Sequence, residues 1–67
     1  MKDFEKKAKA HALKNAIRYN GKASPGAVIS GLFAEGLKKE EVKVYSKKIN
    51  EIVVSVNKLS LDEQKKE

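Results

Sequence analysis

Residues 39–58 read KEEVKVYSKKINEIVVSVNK, and their apolar positions predict the fold class. Apolar side chains recur every three or four residues from Val42 to Leu59, which places them on one face of an α-helix. Glu40 and Glu41 lie in the first turn, where negative charge is favourable to the helix dipole. The β-branched run at 52–54 would favour a strand on its own. The longer period and the flanking charges instead favour a helix of about residues 39–58.

Two further helices are predicted upstream. The first covers about residues 3–20, is rich in alanine and lysine, and meets Gly21 where a left-handed cap belongs. The second begins at a serine-proline step, with Ser24 as a favoured N-cap, and ends at Gly36. Gly26 and Gly31 lie inside this second helix, where a glycine usually indicates close packing or close approach of a ligand.

A fourth helix starts near the end of the sequence. Ser60 followed three residues later by Glu63 is a capping box, and only four residues follow it. The sequence therefore predicts an all-α fold, a small three-helix bundle with the start of a fourth helix at the C-terminus. We expect residues 1–59 to form the helical domain, and residues 60–67 to be the start of a helix or a linker leading to a further domain. The alternative for residues 60–67 is a frayed tail.

Composition excludes several classes of function. Sixty-seven residues make one domain at most, with a thin core. There is no cysteine and His11 is the only histidine, so the sequence offers neither a nucleophile–base pair nor a metal cluster. We predict no catalytic residue and no metal site in this chain. No apolar run approaches the roughly 20 residues needed to cross a bilayer, and we expect no membrane partner.

Positive charge is concentrated at the start of the sequence. Residues 1–22 carry seven basic and two acidic groups, which accounts for +5 of the net charge of +6. Charge gathered on one element is typical of proteins that bind nucleic acid or another acidic surface. A lysine-rich surface that serves only solubility is the alternative.

Four residues of the first helix form a line of positive charge, here called the basic stripe. They are spaced four, three and four apart, and no acidic residue interrupts them along the helix: Lys7, His11, Lys14 and Arg18. We expect the stripe to lie opposite an inward face made of Ala12, Leu13, Ala16 and Ile17, with Tyr19 at its edge. Cations in a line suit a phosphate backbone, because each neutralised phosphate releases counterions. A lone histidine on such a face is more often a solvated side chain.

The stripe offers little for reading bases. It contains no aromatic residue, and Asn15 and Asn20 are the nearby side chains able to reach a base edge. We therefore predict a contact with backbone and shape, without sequence specificity.

The loop at residues 20–26 is a second candidate for anion binding. It combines a glycine turn, a lysine and a helix N-terminus, whose free N–H groups favour a phosphate. It lacks the spacing of a Walker A loop, and a well-capped turn between helices is the alternative reading. The residues predicted to bind RNA are Lys7, His11, Lys14, Arg18, Asn20, Gly21, Lys22 and Ser24.

Two blocks of the sequence, residues 12–32 and 52–64, resemble the N-terminal segment of archaeal-type glutamyl-tRNA synthetases. The strongest parts read Tyr-Asn-Gly-Lys-Ala-Ser-Pro from Tyr19 and Val-Asn-Lys-Leu-Ser from Val56, and the likeness covers residues 8–65. The Gly-Lys-Ala-x-Pro core also resembles the N-terminal domain of glutaminyl-tRNA synthetases and the tail domain of tRNA-dependent amidotransferases.

The sequence departs from that pattern at three positions. Ser24 stands where asparagine is common, so a contact made by that amide is in doubt. Gly26 and Ser30 fall where bulkier or basic residues are frequent, which weakens the positive field of the loop.

The resemblance implies a helical domain that precedes the catalytic domain of a glutamate–tRNA ligase and assists tRNA binding. ATP and Mg²⁺ are expected only in that catalytic domain, whose His-Ile-Gly-His-type and Lys-Met-Ser-Lys-type motifs this sequence lacks. The implied partner is tRNA, with other synthetases or the remainder of its own polypeptide as further partners, for a cytoplasmic monomer. The alternative function is a protein–protein docking module that recruits partner proteins to a synthetase complex.

Overall fold

The computed structural model describes residues 2–66, and over that range it contains four helices and no strand. The helices are α1 (Lys2–Arg18), α2 (Pro25–Ala34), α3 (Lys39–Lys58) and α4 (Leu61–Lys66). This confirms the predicted all-α class, with three longer helices and a short fourth one. Across residues 2–66, no helix combines the length and the apolar character that crossing a membrane requires.

The core lies between α1, α2 and α3. Val28 and Leu32 of α2 meet Ile49, Val53 and Val56 of α3, and all five are buried. These α3 residues belong to the apolar stripe that the sequence predicted to face inward. At the edge of the core, the rings of Phe4 and Tyr45 stack with centroids 4.2 Å apart, and Nζ of Lys48 lies 3.2 Å from Oε1 of Glu5.

The inward face of α1 matches the prediction at Ala12 and Ala16 but not at Ile17. Ala8, Ala12 and Ala16 are fully buried, whereas Ile17 is 39% exposed and Tyr19 is 60% exposed. Residues four apart form one ridge of a helix, and alanines on that ridge let α1 approach α2 and α3 closely. Close approach of the backbones therefore outweighs burial of the larger Ile17 side chain. Leu13 is half-buried beside this ridge.

The end of α1 contains the predicted left-handed Gly21 and a second left-handed residue, Asn20, directly before it. Asn20 has φ 61° and Gly21 has φ 96°, so both lie in the left-handed region. The N–H of Gly21 donates to the carbonyl of Ala16 at 2.6 Å, which makes Asn20 the left-handed residue of a Schellman motif. Asparagine tolerates the left-handed conformation better than most residues do, and glycine adopts it without a steric penalty. The two residues together reverse the direction of the chain after α1.

The other helix ends follow the predicted signals. Oγ of Ser24 accepts the N–H of Ala27 at 3.4 Å at the start of α2. Gly36, with φ 105°, ends α2, and the N–H of Leu37 donates to the carbonyl of Leu32 at 3.0 Å. At the start of α3, the carboxylate of Glu41 accepts the N–H of Lys38 at 3.0 Å.

Helix α4 packs against α1 and contributes one polar side chain to the interior. The capping box that begins it is formed in both directions, since Ser60 N–H donates to Glu63 Oε1 at 2.9 Å and Glu63 N–H donates to Ser60 Oγ at 3.2 Å. Gln64 is 1% exposed. Its Nε2 donates to the carbonyls of Val56 and Leu59, at 2.9 and 3.4 Å, at the end of α3. The Val56 carbonyl also accepts the N–H of Leu59 at 3.1 Å.

Candidate nucleic-acid interface

The basic stripe borders the groove between α1 and α2. Because the alanine ridge rather than the Leu13–Ile17 side faces the core, the stripe lies beside α2 and is not opposite the packed face, as the sequence had predicted. His11, Lys14 and Arg18 line this groove together with Ala27 and Ser30 of α2. Lys7 is exposed further toward the start of α1.

His11 is held against α2. Its side chain is 28% exposed, and its Nε2 lies 2.5 Å from Oε2 of Glu35. A carboxylate only accepts hydrogen bonds, so Nε2 carries the proton in this contact. A Cβ atom placed on Gly31 would lie 2.5 Å from His11 Nδ1 and 2.9 Å from its Cγ, so the absent side chain of Gly31 makes room for the ring. Gly31 thus reflects close packing, whereas an added Cβ at Gly26 would meet nothing within 4 Å.

Glu35 brings a negative charge to the middle of the basic stripe. The sequence pattern of α1 shows no acidic residue in the stripe, but Glu35 reaches it from the other side of the groove. Lys7 lies on one side of this contact, and Lys14 and Arg18 lie on the other. The uninterrupted positive surface is therefore the part of the stripe nearest the loop.

The loop at residues 20–24 carries the remaining predicted site residues. Asn20, Lys22 and Ser24 are exposed, and Gly21 is half-buried. Lys22 follows the end of α1 directly, so it extends the cationic surface of Lys14 and Arg18. Among residues 2–66, none of these three cations forms an ion pair.

Three side-chain amides from three helices hold this loop, and we call them the amide clamp: Asn15, Asn57 and Gln64. Asn15 Oδ1 on α1 accepts the N–H of Ser24 at 3.0 Å. Asn57 on α3 makes two bonds to Ala23, accepting its N–H at 2.7 Å and donating to its carbonyl at 3.0 Å.

The third amide, Gln64 Nε2 on α4, donates to the carbonyl of Gly21 at 3.1 Å. The backbone of the loop is thereby tied to every helix that packs around it except α2, which begins where the loop ends.

The clamp restricts the expected role of Asn15. With Oδ1 accepting the N–H of Ser24, this side chain is held against the loop, and one lone pair of the oxygen and the Nδ2 hydrogens remain for a base edge. Asn20 is exposed and also keeps that possibility. In the part of the chain the structure describes, no three histidine or acidic side chains gather as metal ligands.

The departure from the family pattern at Gly26 leaves an open surface. A Cβ atom at Gly26 would meet nothing within 4 Å. Ser30 is also exposed and lines the α1–α2 groove. Larger or basic side chains at both positions would therefore fit beside the stripe without disturbing the core.

Comparison with known proteins identifies relatives over nearly the whole chain. The chain is 44% identical over 64 residues to a glutamate–tRNA ligase of Methanocaldococcus jannaschii, which covers 94% of the chain and 12% of that ligase. It is 46% identical over 66 residues to the glutamate–tRNA ligase of Pyrococcus furiosus, covering 96% of the chain and 11% of that ligase. The chain is thus similar to one segment of archaeal glutamate–tRNA ligases.

This similarity confirms the resemblance found in the sequence and is consistent with an N-terminal domain of such a ligase. The chain spans only about a tenth of the length of the ligases it matches. No protein-family model matches the chain, and no solved structure matches it significantly.

Sequence reasoning missed Glu35, Asn57 and Gln64. Asn57 and Gln64 do lie inside the second block that resembles the ligases, which was a signal that their identity matters. Their hydrogen bonds span 34 and 43 positions of the chain, so no local pattern could reveal them. Glu35 lies 24 positions from His11 and was equally hidden.

Proposed function

We propose that this chain is the tRNA-assisting helical domain of an archaeal-type glutamate–tRNA ligase. It binds the tRNA backbone without sequence specificity and supports aminoacylation by the full enzyme. The contact surface consists of Lys14, Arg18 and Lys22 together with the exposed part of the loop at residues 20–24. His11 lies at the Glu35 contact, and Lys7 extends the surface along α1 on the far side of it.

One observation carries the proposal: the three exposed cations flank a loop whose backbone the amide clamp holds in one arrangement. A preformed loop loses little conformational entropy when it binds, so more of the phosphate attraction appears as affinity. The lysines and the arginine contribute a sequence-independent attraction, which suits a partner recognised by its backbone.

The identity of the parent enzyme in this proposal rests on sequence similarity. The relatives are glutamate–tRNA ligases, and tRNA is the substrate that their name states. The proposal includes the predicted domain boundary: residues 1–59 form the helical domain, and residues 60–67 lead toward a catalytic domain. ATP and Mg²⁺ belong to that catalytic domain in this proposal, and no catalytic step is assigned to the present residues. The burial of Gln64 supports a connecting segment, residues 60–67, whose helix α4 is packed against the bundle.

Titration of the chain with total tRNA at several salt concentrations tests the proposal. Lys14→Glu with Arg18→Glu should weaken binding strongly and reduce the slope of log affinity against log salt by about 1.4–1.8, since each phosphate contact contributes about 0.7–0.9.

The matched control is Lys47→Glu with Lys58→Glu, on a separate exposed face of α3. It changes the net charge equally and should leave the slope nearly unchanged. Equal losses for both pairs would mean that only the overall charge matters, and the proposed surface would be wrong.

A docking module is the second candidate function, and the exposed apolar residues of α3 favour it. Val44 is 74% exposed and Val54 is 54% exposed. A protein partner bound there should perturb the NMR signals of these two valines with weak salt dependence. The tRNA surface should instead respond at Lys14, Arg18 and Lys22 and should lose its response as salt rises.

A further inference from the structure

Gln64 is a polar residue buried in the small core, and among residues 3–66 no other polar side chain is buried. Its hydrogen bonds join the loop, α3 and α4. The two hydrogens of its Nε2 are directed at the carbonyls of Gly21 in the loop and Val56 at the end of α3, at 3.1 and 2.9 Å, and the Leu59 carbonyl shares one of them at 3.4 Å. The side chain is 1% exposed although it belongs to a helix of six residues. Burial of an amide costs free energy unless its polar atoms find partners. The Nε2 hydrogens find theirs in these carbonyls, whereas Oε1 is buried without a hydrogen-bond partner in the described part of the chain. The Nε2 contacts exist only while α4 is docked.

The carbonyl of Gly21 depends on this contact. Gly21 lies in the left-handed turn that ends α1, one residue before Lys22. Its N–H is bonded to Ala16, and its carbonyl accepts from Gln64. When α4 undocks, the Gly21 carbonyl is solvated by water, and the turn loses its hydrogen bond to Gln64 of α4.

The next residues of the loop are held from α3. Asn57 lies one residue beyond Val56, whose carbonyl Gln64 also binds, and it forms both bonds to Ala23. At the end of α3, the Val56 carbonyl therefore accepts a hydrogen bond from Gln64, and the next residue, Asn57, bonds to Ala23 of the loop. Docking of α4 and the arrangement of the loop share this stretch of backbone.

We propose that Gln64 and Asn57 are positioning residues that couple the docking of α4 to the conformation of the RNA-binding loop. The inference rests on the proposed function for its consequence, which is that undocking α4 weakens RNA binding without removing any cation. Residues beyond α4 that pull on this helix would then change the affinity of the loop for RNA.

The first experiment measures hydrogen exchange of the loop amides in the folded chain, without RNA. Ser60→Ala removes the Oγ that caps α4, and the hydrogen bonds of the hydroxyl and N–H of this serine go to Glu63 and not to the loop. Loss of an N-cap of this kind should raise the exchange of the Gly21 and Ala23 amides about two- to thirtyfold. The buried Val28 amide should exchange as in the unchanged chain.

Gln64→Met provides the direct variant, because methionine matches the shape of glutamine and donates no hydrogen bond. It should raise the hydrogen exchange of the Gly21 and Ala23 amides as well. Asn57→Ala should raise the exchange of the Ala23 amide. Asn50→Ala, which removes an exposed side-chain amide of α3, serves as its control. If Gln64→Met fails to fold, Ser60→Ala still decides the matter. Loop amides that stay protected while the α4 amides exchange freely would overturn the coupling.

The second experiment titrates the same variants with total tRNA. Ser60→Ala and Gln64→Met should weaken binding several-fold with an unchanged salt slope, because all cations remain. Loss of stability alone would leave the affinity of the folded fraction unchanged, and that result would also overturn the inference. If the unchanged chain does not bind tRNA, the proposed function fails, while the exchange data still test the coupling between α4 and the loop.

Discussion

His11 of α1 and Glu35 at the end of α2 meet across the groove, with Nε2 of His11 2.5 Å from Oε2 of Glu35. The ring reaches this position because Gly31 has no side chain beneath it. This contact therefore explains why position 31 of α2 is a glycine and why the basic stripe is interrupted by a negative charge.

Gly31→Ala should destabilise the protein. The added Cβ would lie 2.5–2.9 Å from three atoms of the His11 ring, including Cγ near the base of the side chain, so the ring must rotate away and release Glu35. Overpacking of this kind costs about 1–3 kcal/mol, and the better helix propensity of alanine offsets up to about 1 kcal/mol of it. Urea denaturation of the variant measures the free energy of unfolding.

The control for this prediction is the same substitution in a His11→Ala chain. Without the ring, the alanine at position 31 has space, and Gly31→Ala should stabilise that chain by up to about 1 kcal/mol. The sign of the effect should reverse between the two backgrounds, which is a coupling energy between residues 11 and 31. An identical destabilisation in both backgrounds would show that the two residues do not interact.

Glu35→Gln should tighten binding to total tRNA. The glutamine keeps a hydrogen-bonding partner for His11 and removes the negative charge from the stripe. A charge at a few ångströms is worth up to about 1 kcal/mol in water, so the gain should be about twofold to sixfold at low salt and should fade as salt rises.

Glu51→Gln on α3 is the matched control, since it removes the same charge from an exposed position away from the α1–α2 groove. An equal gain in this variant would attribute the effect to net charge, against a local role for Glu35.

The capping box of α4 should loosen in acid. Hydrogen bonds from Ser60, first from its backbone N–H and second from its side chain, hold the pKa of Glu63 below its ordinary value of 4.5. A carboxyl whose pKa is lower in the folded chain contributes stability above pH 4.5 and loses that contribution as the pH falls through the lowered pKa. The amide of Glu63 should therefore lose protection as the pH falls below about 4.5, which NMR at a series of pH values would detect.

Ser60→Ala separates the two causes of that lowered pKa. The variant keeps the backbone N–H and removes the hydroxyl, so the pKa of Glu63 should rise but stay below 4.5. A carboxyl titration followed by NMR gives this value directly. A pKa that does not move would show that the hydroxyl contributes nothing, and Glu63→Gln should abolish the acid transition at this cap altogether.

Local signals in the sequence predicted most of the secondary structure. The period of α3, the Ser24 cap, Gly36 and the Ser60–Glu63 box each act within a few residues, and all appear in the structure. The inward face of α1 was predicted less well. Leu13 and Ile17 are the larger apolar residues, but the helix turns its alanines inward because close packing with two neighbours needs small side chains.

The candidate site divides in the same way. The positive residues of α1 and the loop could be found by counting charges along a helix, and their role in RNA binding stays a prediction. The partners that limit and organise them could not be found by counting. Glu35, Asn57 and Gln64 act through bonds that span 24 to 43 positions, and only packing brings those positions together.

The sequence by itself determined the four helices, the concentration of positive charge at residues 1–22 and the likeness to archaeal glutamate–tRNA ligases. These properties follow from local backbone preferences, composition and the order of residues, none of which requires knowledge of distant contacts. The tertiary structure alone decided which face of α1 is buried, that Glu35 meets the basic stripe, and that Gln64 ties α4 to the loop. Those outcomes depend on how closely helices can pack and on where buried polar atoms find partners, and both are properties of the assembled fold.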